Sequence, residues 1–207
     1  MDAKKLIEIM QAVAVKIEEE KDYLTELDNV IGDGDHGINM ARGFKAVEEK
    51  LPSLAGKDIG IILKGIGLQL VSNVGGASGP LYGTAFMKAG AACTGLVSMD
   101  AVAFVQAMEA AVQGIEMRGK AHEGEKTMLD ALCPALKALR HGVDSGKTAK
   151  AALADAVAAA EQGVAYTQTI IATKGRASYL GERSLGHQDP GATSSLYILQ
   201  TILAHLS

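Results

Sequence analysis

Tryptophan is absent from this 207-residue chain, aromatic residues make up only 4% of it, and it holds just two cysteines and four prolines. Cys93 and Cys133 lie 40 residues apart with no CxxC and no Cys/His spacing near them, which argues against a disulfide framework and against a structural zinc site. They read as reduced thiols of a cytoplasmic protein. No stretch approaches the roughly 18 uninterrupted apolar residues of a spanning helix, and the N-terminus MDAKKLIEIMQ runs into an amphipathic pattern instead of an apolar signal core. The expected location is the cytoplasm, with no membrane partner. The net charge is -4 and no cluster of five basic residues occurs, so nothing supplies the electrostatic footprint of a nucleic-acid binder. What is present is a 48% hydrophobic, 21% charged chain, too apolar for disorder and long enough to bury its own core. A single domain spanning residues 1–207 is expected.

Leu6, Ile9, Met10, Val13, Ile17 and Leu24 recur at helical intervals with charged residues between them, and Asp2 is placed to cap the helix they imply. Similar patterning predicts helices at about 36–50, 58–74, 79–94, 99–118, 127–141, 147–173 and 190–206. Alternating β-branched runs are missing. The expected class is all-α, with about eight helices separated by glycine-rich breaks. The alanine-rich stretch 149–168 reads as a helix whose small side chains let neighbours approach closely.

Chemistry concentrates in three breaks. In residues 24–44, LTELDNVIGDGDHGINMARGF, Asp28, Asp33 and Asp35 fall within eight positions just before a helix. Gly32 and Gly34 let the backbone fold back so that the carboxylates converge. Unit charges about 4 Å apart repel by about 4 kcal/mol at an effective dielectric of 20, so three crowded carboxylates either raise a pKa or recruit a cation. All-oxygen ligation suits Mg²⁺. Taken alone, such a pair of aspartates reads as a helix cap with solvated neighbours. An EF-hand does not fit, because the twelfth position counted from Asp33 is Phe44. In residues 72–86, SNVGGASGPLYGTAF, small residues precede Pro80 at the start of a helix, where exposed amides and the helix dipole welcome an anion. GVDSGKT at 142–148 lacks the four-residue spacing and the preceding strand of a Walker loop. In the third, KGRASYLGERSLGHQDPGATSS, Arg176, Arg183, His187 and Asp189 lie among glycines, and Asp189-Pro190 opens the last helix. His122, His141 and His205 have no partners by spacing and read as solvent-facing.

Together, IGDGDHGINMARGF, GGASGPLYGTAF and GRASYLGERSLGHQDPGA resemble the nucleotide-binding L subunits of dihydroxyacetone kinases, and MRGKAHEGEKTMLDAL at 117–132 is similar as well. The resemblance covers nearly the whole chain. It implies a barrel of eight antiparallel helices with ADP at one end, its diphosphate held through two Mg²⁺ ions by Asp28, Asp33 and Asp35. By motif, His36, Gly37, Ile38 and Asn39 would line the nucleotide and phosphates, with Ala77 and Ser78 at the glycine-rich loop. Gly119, Thr127 and Met128 would surround the adenosine, Arg176 would approach the diphosphate, and Asp189, Pro190 and Gly191 would close the site.

The resemblance further implies a retained ADP coenzyme. A phosphohistidine subunit of the phosphotransferase system rephosphorylates it, and the ATP formed phosphorylates dihydroxyacetone held on a K subunit. No catalytic side chain beyond the metal and nucleotide site is expected. The start of the chain at the L domain favours this form over relatives that carry a K-like domain ahead of it and exchange ATP. Other readings stay open: an L subunit using exchangeable ATP, or a nucleotide-state sensor contacting a transcription regulator. A phosphohydrolase using the same aspartates ranks below both.

Overall fold

A computed structural model describes residues 1–206. Nine α-helices occupy them: α1 (Ala3–Glu19), α2 (Lys21–Ile31), α3 (His36–Lys50), α4 (Ile59–Asn73), α5 (Ser78–Ala92), α6 (Ala101–Gly119), α7 (Leu129–Asp144), α8 (Ala149–Thr167) and α9 (Pro190–His205). Among the described residues there is no strand, only an isolated bridge between Asp2 and Ser98. The all-α expectation therefore stands, with one change. The helix expected from Asp2 to about Leu24 is two helices, because Glu20 leaves helical geometry (φ -92°, ψ 4°). The 175–192 break also holds a short 3₁₀ segment, Arg176–Ser184, kinked at Gly181.

Capping follows local chemistry. Asp2, Asp58, Asp100, Thr148 and Asp189 each accept a hydrogen bond from the backbone N–H three residues on, satisfying a donor that the helix itself leaves free. Each helix of the ring packs against the next in the order α9, α1, α3, α4, α5, α6, α7, α8 and back to α9. Eight helices thus close a barrel, and α2 lies outside it against α3 and α9.

Burial of Leu6, Ile9, Phe44, Ile62 and Ile66 forms the core on the α1–α6 side. Each such side chain contributes about 1.5–3 kcal/mol. On the other side the core mixes leucines and valines with the alanines Ala131, Ala135, Ala152, Ala156 and Ala160, which bring α7 and α8 close together. Pro134, inside α7, has no N–H to offer the Asp130 carbonyl. Gly163 of α8 lies directly over that carbonyl, where any Cβ would overlap it.

At one end of the barrel the Met1 amino group donates to the Met99 carbonyl and Ile59 N–H to the Leu96 carbonyl, at 2.8 Å each. The other end gathers the starts of α3, α5, α7 and α9 around one cleft. Alternation around the ring makes this inevitable, and it matters electrostatically. Each helix start carries about half a positive charge, and four of them face the same space.

Candidate functional site

The base of the cleft is built by the turn between α2 and α3. Leu24, Asp28 and Ile31 share the buried face of α2, so Asp28 occupies what would otherwise be an apolar position. Its Oδ2 accepts hydrogen bonds from Asp35 N–H at 2.9 Å and His36 N–H at 3.1 Å. Both are donors at the start of α3 that the helix itself leaves free, and the Asp35 side chain makes no capping bond of its own. The turn requires its glycines for different reasons. Gly34 has φ +72°, the left-handed region that side chains avoid. Gly32 has negative φ, but a Cβ there would overlap Oδ1 of Asp28 and lie 2.8 Å from its Cγ.

The result is a set of carboxylate oxygens from Asp28, Asp33 and Asp35 that all lie within 4.8 Å of one another. Arg176 reaches in from the 3₁₀ segment and pairs with Asp33 at 2.9 Å. One guanidinium beside three carboxylates leaves a net negative pocket of hard oxygen donors, the donor set that suits Mg²⁺.

Above this base lies an open cleft with a cavity volume of about 190 Å³. Gly75, Gly76 and Ala77 form its floor on the α5 side; Gly76 has φ +62°, and no side chain caps the start of α5. The amides there are free for an anion. Behind them runs a buried polar chain. Ser78 Oγ meets His36 Nδ1 at 3.1 Å, His36 Nε2 meets Ser194 Oγ at 2.9 Å, and Ser194 Oγ meets the Tyr82 hydroxyl at 2.7 Å. Tyr82 OH also lies 2.8 Å from Ser195 Oγ and donates to the Gly191 carbonyl at 3.1 Å. Burial lowers the His36 pKa to about 4 despite Asp28 and Asp35, so the ring is neutral and offers one donor and one acceptor. Burial likewise pushes Asp189, which caps α9, up to about 7.

The far wall is formed by residues 126–128 and 174–177 with Asp189. Asp130 holds the first of these in shape by accepting from Gly124 N–H at 2.5 Å and Thr127 N–H at 2.7 Å. An adjoining hollow, lined by Leu81, Ile115, Gly119, Ala121 and Met128, shares Ala77, Thr127 and Lys174 with the cleft. Its lining is mostly apolar, with Arg118 and Lys174 among it, and flat-ringed ligands suit it.

The structure brings most of the expected site residues to this cleft. Asp28, Asp33, Asp35, His36, Ala77, Ser78, Thr127, Met128, Arg176, Asp189, Pro190 and Gly191 line it, and Gly119 lines the adjoining hollow. Gly37, Ile38 and Asn39 are not on its wall. Gly37 is packed against the Lys21 carbonyl and Thr25 of α2, and Ile38 is 52% exposed. Asn39 is buried, accepts from Arg42 at 2.7 Å and lies against Gly75. Sequence reasoning missed Tyr82, Ser194, Lys126 and Lys174. The polar run Thr193–Ser194–Ser195 inside an otherwise apolar helix was the available signal for the serine network; Lys126 had none.

Residues 30–204 match the DAK2 domain family. The chain is 49% identical over 183 residues to the Escherichia coli PEP-dependent dihydroxyacetone kinase, ADP-binding subunit DhaL, covering 88% of this chain and 87% of that one. It is 44% identical over 188 residues to the Lactococcus lactis PTS-dependent dihydroxyacetone kinase, ADP-binding subunit DhaL, covering 91% and 90%. The crystal structure of the dihydroxyacetone kinase from C. freundii in complex with AMP-PNP and Mg²⁺ superposes with a TM-score of 0.74 at 26% identity. That match takes in 96% of this chain but spans only about a third, 33%, of the C. freundii chain. Motifs, cleft and relatives agree, and the chain belongs to the DAK2 domain family.

Proposed function

We propose that this chain is the ADP-binding subunit of a phosphotransferase-system-dependent dihydroxyacetone kinase, working in the cytoplasm with a K subunit and a phosphohistidine subunit. Bound ADP is rephosphorylated by the phosphohistidine subunit, and the resulting ATP phosphorylates dihydroxyacetone on the K subunit to give dihydroxyacetone phosphate. The observation that carries this reading is the convergence of Asp28, Asp33 and Asp35 at the base of a cleft faced by four helix starts.

The three carboxylates would hold Mg²⁺, which neutralises diphosphate charge when bound. ADP carries about -3 and the carboxylates -3, so two divalent ions leave about -2 for Arg176 and the helix starts to balance. The chain's own groups then have separable tasks. The free amides and Ser78 hydroxyl at the start of α5 bind phosphate oxygens, and neutral His36 orients that hydroxyl from behind. Met128 and Leu81 offer apolar surface to the adenine. Arg176 is 67% exposed at its side chain, free to leave Asp33 for the diphosphate. Phosphoryl transfer needs positioning and charge balance more than a covalent protein group, so this set suffices.

Arg176 and the 87% exposed Tyr179 share one short segment at the rim. That exposed segment is the surface a transcription regulator sensing ADP or ATP would contact.

The test is reconstitution with a K subunit, a phosphorylated phosphohistidine subunit, Mg²⁺ and dihydroxyacetone. Formation of dihydroxyacetone phosphate that requires this chain supports the reading. ATP hydrolysis to free phosphate without that product contradicts it.

A further inference from the structure

We propose that Lys126 is a positioning residue whose ammonium clasps together the two ends of the 168–189 segment, and so holds Arg176 and Asp189 at the cleft. The inference rests on the functional reading only for what the cleft binds.

Lys126 is 1% exposed, among the most buried large side chains of the molecule. Its Nζ donates to the Thr167 and His187 carbonyls at 2.5 Å each and to the Ile170 carbonyl at 3.4 Å. An ammonium has three protons, and three carbonyls receive them. Those carbonyls are not neighbours in sequence. Thr167 is the last residue of α8, Ile170 follows it, and His187 stands two residues before the α9 cap. The clasp thus closes the segment at the points where it leaves the barrel and where it returns.

Beyond the clasp, the middle of the segment is tied by the Arg176–Asp33 pair and by Thr173, whose N–H donates to the Glu125 carbonyl at 3.3 Å. Gly175, Gly181 and Gly186 all adopt positive φ, and its only apolar anchors are Ala172 and Ala177, packed on Ile31 with Leu180. Polar ties at the stem, Gly186 N–H to the Gln168 carbonyl at 2.8 Å and Asp189 N–H to Thr167 Oγ1 at 3.0 Å, lie beside the lysine and share its geometry. The chemistry favours a cation there. The Val164, Ala165 and Tyr166 carbonyls at the end of α8 are paired locally, which leaves the Thr167 carbonyl and the negative pole of the helix dipole for the lysine, and the carboxylates of Asp130 and Asp189 oppose the loss of charge that burial promotes. Lys126 itself is held at φ +62°, a left-handed conformation uncommon outside glycine. Such conformations persist where surrounding contacts over-determine them.

The experiment uses the full chain with Lys126→Ala. Amide hydrogen exchange of residues 168–188 is measured without nucleotide, and ADP binding in Mg²⁺ by calorimetry. Exchange confined to this segment should accelerate while α3, α5 and α7 keep their protection, and ADP should bind on the order of 10- to 100-fold more weakly, as when a supporting shell is lost. Added n-propylammonium, which restores stem and charge, should recover both; 1-propanol should not. Unchanged exchange with unchanged affinity overturns the proposal, as does equal rescue by 1-propanol, which would reduce the residue to packing. If the alanine variant does not fold, Lys126→Met keeps the stem, and the same exchange readout decides. A wild-type chain that binds no ADP would refute the functional reading, while the exchange arm still judges the clasp.

Discussion

Gly32→Ala is a methyl group added at one point, and its consequence can be followed atom by atom. Gly32 has φ -137°, a value any residue adopts, so no backbone strain is involved. The new Cβ would overlap Asp28 Oδ1 and lie 2.8 Å from Cγ, and reaching the 3.4 Å of ordinary contact displaces the carboxylate by at least 0.6 Å. The bonds that Oδ2 makes to Asp35 and His36 N–H, at 2.9 and 3.1 Å, lengthen or break. Hydrogen bonds to charged groups contribute about 1.5–3 kcal/mol each, but water can reach the freed amides beside half-buried Asp35, so the net cost to folding is about 2 kcal/mol. At this chain length that lowers the melting temperature by roughly 4–8 °C.

Binding suffers more than stability does. A divalent ion and a carboxylate about 4 Å apart attract by about 8 kcal/mol at an effective dielectric of 20, twice the value for unit charges. Losing only a quarter of that weakens ADP binding in Mg²⁺ roughly 30-fold. Calorimetric titration with ADP in Mg²⁺, beside melting curves in EDTA, separates the two effects. A Gly32→Ala protein that binds ADP as tightly as the parent would refute the placement of the cation on Asp28.

Asp33→Asn or Asp35→Asn should abolish Mg²⁺-dependent ADP retention with helical content by circular dichroism nearly unchanged; a variant that keeps its nucleotide sinks the metal assignment. Tyr82→Phe removes the hydroxyl that joins α5 to Ser194, Ser195 and the Gly191 carbonyl, leaving buried groups unpaired. A loss of about 1–3 kcal/mol in urea unfolding is expected, and an unchanged midpoint contradicts the network. Asp189 supplies the pH dependence. Its folded-state pKa of about 7 stands above the ordinary 3.8, so between pH 4 and 7 the folded chain keeps a proton that the unfolded chain has released. Stability falls as pH rises through that window and levels off above it, by at most about 4 kcal/mol. Asp130 and Asp28 add to the shift and Lys126 opposes it. Asp189→Asn keeps an acceptor for Ala192 N–H and should flatten the fall in melts run in EDTA from pH 4.5 to 8; parallel slopes would contradict this origin.

The helical period located eight of the nine helices because core positions such as Leu6, Ile9, Phe44 and Ile62 repeat on one face. It merged α1 with the start of α2 because Leu24 continues the apolar series across Glu20. The remainder of α2 was hidden by Asp28, a carboxylate in the slot that an apolar residue would mark. The aspartates, the glycine loop and the Asp189 cap were legible because their chemistry is local. Tyr82, Ser194 and Lys126 were not, because each acts through partners 41 to 158 residues away in the chain. Gly37, Ile38 and Asn39 belong to a motif whose helix turns them away from the cleft after His36.

The most direct measurement is to purify the protein without added nucleotide, denature it, and identify by chromatography what is released, with a parallel sample first dialysed against EDTA. The account predicts about one ADP per chain in the first sample and none in the second. A protein that carries no nucleotide and binds none in Mg²⁺, or one whose ADP survives EDTA, would contradict a coenzyme held through cations on Asp28, Asp33 and Asp35.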